Sequence, residues 1–367
     1  MNIEDLMLSL LRSSLWGTQV DLKGQQLSHE LFQELTKLAT EQAVMGLVSQ
    51  GLMDSSVRLE RDDALNMFAI QQTIRQRNAV MDKAVVELCQ RLEAEGIRML
   101  VMKGQTIAAL YLDAGLRQSG DIDFLIHPDD WEKAIEYVSK DLDVDVKDHN
   151  SQKHVEWKMD GVQYEMHRLL TKFAYPKHQR YWDRVVLPEI WERQYSVKIN
   201  GYDVPTLQPT YNVLYTFVHI FYHLIIDGIG IRQFCDESIL LKSLDFDKEL
   251  LDRHLRGIGL RNAFTGLGAV MTDYLGLPED AFPFAITDED HRRAPRLMNN
   301  IIERGNFGHN VQYKHKPGIL HGVEHLGIIT KQAREFYHYA PAEACWRIPD
   351  MFKWWGIKIL RILKGRV

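Results

Sequence analysis

Two aspartates one residue apart, Asp121 and Asp123, sit in the stretch Arg117-Gln-Ser-Gly-Asp-Ile-Asp-Phe-Leu-Ile126. Its tail alternates polar and apolar residues, the pattern of a half-buried β-strand. Side chains two apart on a strand share a face. The carboxylates therefore project together, and Ile122 and Phe124 go to the core. Like charges held side by side repel. A divalent cation relieves this, and Mg²⁺ in particular is held by one or two carboxylates with water and phosphate oxygens completing its shell. The same pattern also describes a solvated strand face, so the neighbouring residues decide. If repulsion dominates, replacing both aspartates by asparagine is predicted to leave stability without metal equal or better.

Ser119-Gly120 precede the pair, and glycine permits close backbone approach to a ligand. Lys103-Gly104 close an earlier apolar run. A third carboxylate, Glu165, lies in a hairpin built from 154–159 and 162–168 around Asp160-Gly161, a preferred two-residue turn. Glu165 and His167 share one strand face, opposite Val162, Tyr164 and Met166. Further on, His219, His223 and Asp227 recur at helical spacing, followed by Arg232 and Asp236 at i, i+4. Two imidazoles at i, i+4 can bind Zn²⁺, but the chain has no H-E-x-x-H.

These residues must be carried by a large soluble framework. At 367 residues the chain is long enough for two or three domains. With 45% hydrophobic and 26% charged residues it is not a disordered chain. The formal net charge of −6 gives no global footprint for nucleic acid. Cys89, Cys235 and Cys345 are widely spaced, without a C-x-x-C, so no disulfide framework is legible and a reducing cytoplasm fits. The acidic N-terminus lacks a signal-peptide pattern. The most apolar stretch, 213–226, is interrupted by His219 and His223 and is too short to span a bilayer.

In chain order, residues 1–90 read as a helical region with apolar positions at helical spacing. Residues 91–206 hold a buried strand over 97–102, a helix over 105–113, the aspartate strand, a helix from Pro128 carrying Trp131, Ala134, Ile135 and Val138, the hairpin, and a short strand pair at Asn200-Gly201. Residues 207–285 read as helices. Residues 286–367 read as an irregular, Gly-, His- and Pro-rich segment to about 325, ending in a basic amphipathic helix over 349–367. Such a helix either packs on protein or lies on an anionic membrane surface.

The ordered set Lys103-Gly104, Arg117-x-Ser-Gly-Asp-Ile-Asp-Phe-Leu-Ile126 and Glu165-Met-His167 resembles the DNA polymerase β-type nucleotidyltransferase superfamily. With His219-x-x-x-His223 and Arg232-x-x-x-Asp236 it is similar to the bacterial uncharacterised nucleotidyltransferase family, over residues 85 to 245. The superfamily has Gly-Ser or Gly-Gly after the first strand, where this chain has Gly104-Gln105. The resemblance implies an α+β fold, a small mixed sheet flanked by N- and C-terminal helical domains. It implies transfer of a nucleoside monophosphate from an NTP to an acceptor hydroxyl or phosphate, with pyrophosphate released. Asp121, Asp123 and Glu165 would be the catalytic carboxylates and hold Mg²⁺ (two ions during turnover, or Mn²⁺). Lys103, Gly104, Arg117, Ser119 and Gly120 would bind the nucleotide. His167, His219, His223, Arg232 and Asp236 would line the acceptor side or support the carboxylates. A small-molecule acceptor is favoured over RNA or protein, with membrane contact through 349–367 as a further expectation. The alternatives are a non-catalytic nucleotide-binding module and a helical metallohydrolase using His219 and His223.

Overall fold

Alternation of apolar and polar residues produces a four-stranded sheet in the order β1-β2-β4-β3: β1 (Met99–Met102), β2 (Asp121–Ile126), β3 (His154–Met159) and β4 (Val162–His167). β1 runs antiparallel to β2, β2 parallel to β4, and β3 and β4 form the hairpin. Asp160 and Gly161 both have positive φ, 50° and 76°, as a type I′ turn requires. β5 (Ser196–Ile199) and β6 (Tyr202–Pro205) form a separate ribbon.

This computed structural model describes residues 2–363 apart from 21–23, 25, 141, 143–153, 227 and 307–318. The N-terminal helices are α1 (Ile3–Trp16), α2 (His29–Glu41), α3 (Met45–Asp54) and α4 (Arg61–Ala94). Interspersed with the strands along the chain are α5 (Gly104–Ala108), α6 (Trp131–Lys140), α7 (Pro176–Tyr181) and α8 (Leu187–Ile190). Then come α9 (Pro209–Ile226), α10 (Ile231–Ser243), α11 (Lys248–Gly257) and α12 (Arg261–Leu275). Last are α13 (Asp288–Arg304), α14 (Ile319–Phe336) and α15 (Pro341–Leu363). The fold is α+β, as the sequence implies. The helix expected over 105–113 is shorter and begins at Gly104.

The sheet has two unlike faces. On one, Ile122, Phe124, Tyr164, Met166 and Trp157 pack against Met81, Val85, Leu88 and Leu92 of α4 and Trp131, Ala134 and Val138 of α6. The α4 positions recur at i, i+4, i+7 and i+11, one apolar stripe on a long helix. The other face carries the polar residues of β2, β3 and β4. Leu100, Met102 and Leu125 on that side join a second, larger core, which unites α1–α3 with α9–α13. The N-terminal helices thus complete the helical body; within this group α4 contributes most to the sheet.

The segment leading into β2 is held from both sides. Arg75 of α4 makes a two-pronged pair with Asp113 at 3.0 and 2.6 Å, and Asn78 donates to the carbonyls of Gly115 and Arg117 at 2.7 and 2.9 Å. From α3, Gly46 comes so close that an added Cβ would stand 2.1 Å from the Leu116 carbonyl oxygen. Gly46→Ala must push apart two backbones that brace the site. It is expected to cost about 1–3 kcal/mol, read as a lower midpoint in urea unfolding.

Residues 286–325 are not irregular throughout. α13 begins at a capping box in which Thr287 and Asp290 satisfy each other's backbone amides. Its apolar residues are few but correctly spaced: Ala294, Leu297, Met298 and Ile301 are buried. The charged composition of 288–304 hides that narrow stripe. α13, α14 and α15 also meet the carbonyls that end α9. Arg304 donates to Leu224 and Ile226, Gln332 to Ile226 and Arg347 to Ile225. Those carbonyls have no partner inside their own helix, so three later helices fix the end of α9. Glu343 of α15, fully buried, accepts from the amides of Ala174 and Tyr175 and the hydroxyl of Tyr222, and pairs with His178. Most side chains of the basic face expected over 349–367 lie outside the described residues. Among the described residues no helix is long and apolar enough to cross a membrane.

Candidate active site

The strand register sets the site. Asp123 of β2 stands directly opposite Glu165 of β4, and Glu165 stands opposite Glu156 of β3. Three carboxylates therefore form a row across three strands. His167 and His154 are paired in the next row on the same face, with ring centroids 5.3 Å apart. Asp121 lies two residues before Asp123, at the edge of this row.

This face is not a solvated strand face. Asp123 is only 6% exposed. Lys103 Nζ lies 2.9 Å from one of its oxygens, and His167 Nε2 lies 2.8 Å from the other. His167 Nε2 is also 3.5 Å from Glu165. Burial alone would raise the Asp123 pKa, but Lys103 and His167 outweigh it and hold the carboxyl well below the usual range. Burial likewise opposes charge on His167 and Lys103, and their acidic partners win, raising both pKa values. Asp121 has the opposite balance. Burial and the neighbouring Asp123 charge raise its pKa.

Lys103 reaches this position from an unusual backbone, φ 54° and ψ −143°, at the end of β1. L-residues rarely adopt it, and such strain, on the order of 1–3 kcal/mol, persists where the surroundings over-determine it. Gly104 follows at φ 46°. Lys103 is therefore no solvated strand-end charge. It stands 3.5 Å from both ring nitrogens of His219 and 5.8 Å over the Tyr215 ring, both on α9. Burial pushes the Tyr215 hydroxyl up to about 12.

α9 and α10 form the opposite wall. The rings of His219 and His223 lie 4.4 Å apart. Asp227, the third member of the helical row, lies outside the described residues. Asp236 is engaged by Arg117, at 2.9 and 2.6 Å, and by the Tyr111 hydroxyl at 2.7 Å. Arg117 Nη1 also donates to Ser119 Oγ at 2.8 Å. Arg117, expected at the phosphates, is thus bound to a carboxylate of the helical wall. Arg232 differs. It donates to the Gln118 carbonyl at 2.7 Å, and its buried Nε has no hydrogen-bond partner among the described residues. Burial and the Arg117 charge push its pKa down.

Together these residues line a cleft of about 240 Å³. Lys103, Gly104, Arg117, Gly120, Asp121, Asp123, Glu165, His167, His219, His223, Arg232 and Asp236 all border it. Ser119 stands behind Arg117 rather than on the wall. A Cβ at Gly120 would meet nothing within 4 Å. Ligand atoms of Asp123, Glu165 and His167 lie within 4.8 Å of one another, as do those of His154, Glu156 and Glu165. Among the described residues neither set includes Asp121, His219 or His223.

Sequence reasoning missed His154 and Glu156. The signal was present: with the turn centred on Asp160-Gly161, residue 156 must face 165 and residue 154 must face 167. The hairpin therefore reads His-x-Glu against Glu-x-His. It also missed Tyr111 as a partner of Asp236, a contact across 125 residues that no local pattern announces.

Comparison with known proteins finds one matching family model. A family model described as "Uncharacterised nucleotidyltransferase" matches residues 28–276. No curated protein gives a significant match. Among solved structures, the chain is similar to that of an antigenic nucleotidyltransferase-like protein from Paracoccidioides brasiliensis, at 14% identity and a TM-score of 0.33. That match covers 53% of this chain and 92% of the other.

Proposed function

The chain belongs to the uncharacterised nucleotidyltransferase family, and from that premise we propose that it transfers a nucleoside monophosphate from an NTP to a small-molecule acceptor, releasing pyrophosphate. The observation that carries this reading is the cleft itself. Asp123 and Glu165 face each other in register, Asp121 lies two residues before Asp123 on the same face, Lys103 stands beside them, and Arg232 borders the cleft from the opposite wall.

The residues fit a divalent cation. Two carboxylates opposed in register repel unless charge is supplied, and beside them burial together with the Asp123 and Glu165 charges raises the pKa of Asp121. Oxygen ligands of this kind suit Mg²⁺, with Mn²⁺ as a substitute. Asp121, Asp123 and Glu165 would hold it, and it would supply positive charge to the transferring phosphoryl oxygens. Lys103 and His167 neutralise Asp123 here and orient it. Arg232 borders the cleft, its buried Nε has no hydrogen-bond partner among the described residues, and it is the guanidinium best suited to a phosphate oxygen. Gly120 leaves open space for close approach. Glu165 faces the hairpin side, where it would accept a hydrogen bond from the acceptor hydroxyl and orient it for attack. A cleft of about 240 Å³ is smaller than the roughly 300–1,000 Å³ that encloses whole small ligands. It would enclose the reacting phosphates and leave the base and the acceptor nearer solvent.

A thermal-shift panel of the four NTPs, each with and without Mg²⁺, tests this. A ligand that binds only the native state stabilises it by mass action, about 2.7 kcal/mol at a hundredfold excess over Kd. One NTP is expected to raise the melting temperature only with Mg²⁺, and Glu165→Gln is expected to lose that rise. Labelled nucleotide then identifies the acceptor. A shift that needs no metal and survives Glu165→Gln would make the chain a nucleotide-binding module instead.

A further inference from the structure

We propose that the β3–β4 hairpin holds a second, imidazole-containing cation site, formed by His154, Glu156 and Glu165, that selects a divalent transition ion such as Zn²⁺ or Ni²⁺ over Mg²⁺. None of its geometry depends on the nucleotidyl transfer reading.

The type I′ turn at Asp160-Gly161 fixes the register, so Glu156 is placed directly across from Glu165. Like charges in directly opposed positions destabilise a sheet. The parallel pairing of β2 with β4 nevertheless places a third carboxylate, Asp123, on the far side of Glu165. His154 Nε2 lies 2.5 Å from Glu156. The ligand atoms of His154, Glu156 and Glu165 lie within 4.8 Å of one another, close enough to close around one ion. Across the hairpin, Asp123, Glu165 and His167 repeat the same composition. Each set has one imidazole, and Glu165 belongs to both. His167 Nε2 is engaged by Asp123, so Glu165 is the carboxylate that joins the hairpin set to the all-carboxylate set of Asp121, Asp123 and Glu165.

The imidazoles decide the metal. Mg²⁺ takes oxygen ligands almost throughout, whereas imidazole nitrogen suits Zn²⁺, Cu²⁺ and Ni²⁺. Three protein ligands leave a coordination position open, as in catalytic rather than structural sites. β3 is an edge strand, and the Glu156 side chain is half exposed, so that open position faces incoming solute.

Co²⁺ is the probe, because its visible absorption reports ligand type and number. The full-length, metal-stripped protein is titrated with Co²⁺ alone, without nucleotide, and bound metal is counted after dialysis. Wild type is expected to bind two ions. His154→Ala with Glu156→Gln is expected to weaken one of them at least about 100-fold, the upper range for losing even a supporting partner of a ligand. Asp123→Asn is expected to keep the hairpin ion, and Mg²⁺ in excess is expected not to displace it. Glu156→Gln alone, isosteric and on the edge strand, keeps the test open if the double variant folds poorly. One ion in wild type, or two unchanged ions in both hairpin variants, would reduce His154 and Glu156 to a plain ion pair and overturn the proposal. Absence of any NTP response would leave this readout untouched, so the two readings fail separately.

Discussion

In metal-free buffer, Asp121→Asn raises the melting temperature and Asp123→Asn lowers it, although the two residues are neighbours on one strand face. The sequence alone predicts relief of repulsion at both. The structure separates them by partner. Among the described residues no cation forms an ion pair with Asp121, and burial and the Asp123 charge outweigh the more distant Lys103 and Arg232 and raise its pKa. A carboxyl with a raised folded pKa costs stability once the pH has risen through that value. Asparagine removes the cost at neutral pH and changes little in acid. Asp123 is held between Lys103 and His167 at 2.9 and 2.8 Å, and its pKa is well below the usual range. Its contribution is present above the unfolded carboxyl pKa and is lost as the pH falls through the folded one. Asparagine there leaves the Lys103 ammonium, 14% exposed, without its counter-charge. Breaking a buried pair from one side costs about 3–5 kcal/mol. Thermal and urea unfolding with a chelator, from pH 4 to 7, checks both signs. Stabilisation by both variants would mean that Lys103 does not pair with Asp123 in solution. On the proposed function both also lose nucleotidyl transfer, on the order of 10²–10³-fold or more, as loss of a preorganised charge at a reacting centre does.

That reversal shows what was legible. Strand periodicity placed Asp121, Asp123 and Glu165 on strands, because alternation is a local property with a fixed period. The Asp-Gly turn fixed the hairpin for the same reason. The row of carboxylates needed one more step, the parallel pairing of β2 with β4, which is set across an intervening helix. Charge balance was less accessible still. Lys103 and Asp123 lie 20 residues apart in sequence, and Arg117 and Asp236 lie 119 apart. Whether a cation neutralises a wall residue or faces a ligand depends on such distant partners. Sequence spacing therefore found the acidic side of the cleft and distributed the two arginines less well. α13 was obscured for a different reason. Its stripe of Ala294, Leu297, Met298 and Ile301 is narrow, and the charges around it read as a loop.

The largest stability loss away from Asp121, Asp123 and Glu165 is expected at Arg117 and Asp236. Arg117 precedes β2, Asp236 lies on α10, and their two-pronged pair at 2.9 and 2.6 Å joins the two walls of the cleft. Both residues are nearly inaccessible, at 4% and 2% exposure. Arg117→Ala or Asp236→Ala leaves one buried charge unpaired and is expected to cost about 3–5 kcal/mol. Arg117→Lys keeps the charge but loses the planar fork, so it restores only part of that. Tyr111→Phe removes one hydrogen bond to Asp236 and is expected to cost about 1–3 kcal/mol. A double-mutant cycle isolates the coupling between 117 and 236. The informative variant carries Arg117→Met and Asp236→Leu together. Replacing a buried ion pair by apolar side chains of similar volume is often neutral or stabilising, so the fold is expected to recover. The NTP- and Mg²⁺-dependent thermal shift is expected to return with it, because Arg117 is tied to Asp236 whereas Arg232, which borders the cleft, keeps an Nε without a hydrogen-bond partner among the described residues. A recovered fold without that shift would instead give Arg117 a direct contact with the nucleotide, the role its sequence position suggested. Arg232→Gln completes the comparison: it is expected to remove the shift while leaving the unfolding midpoint close to wild type.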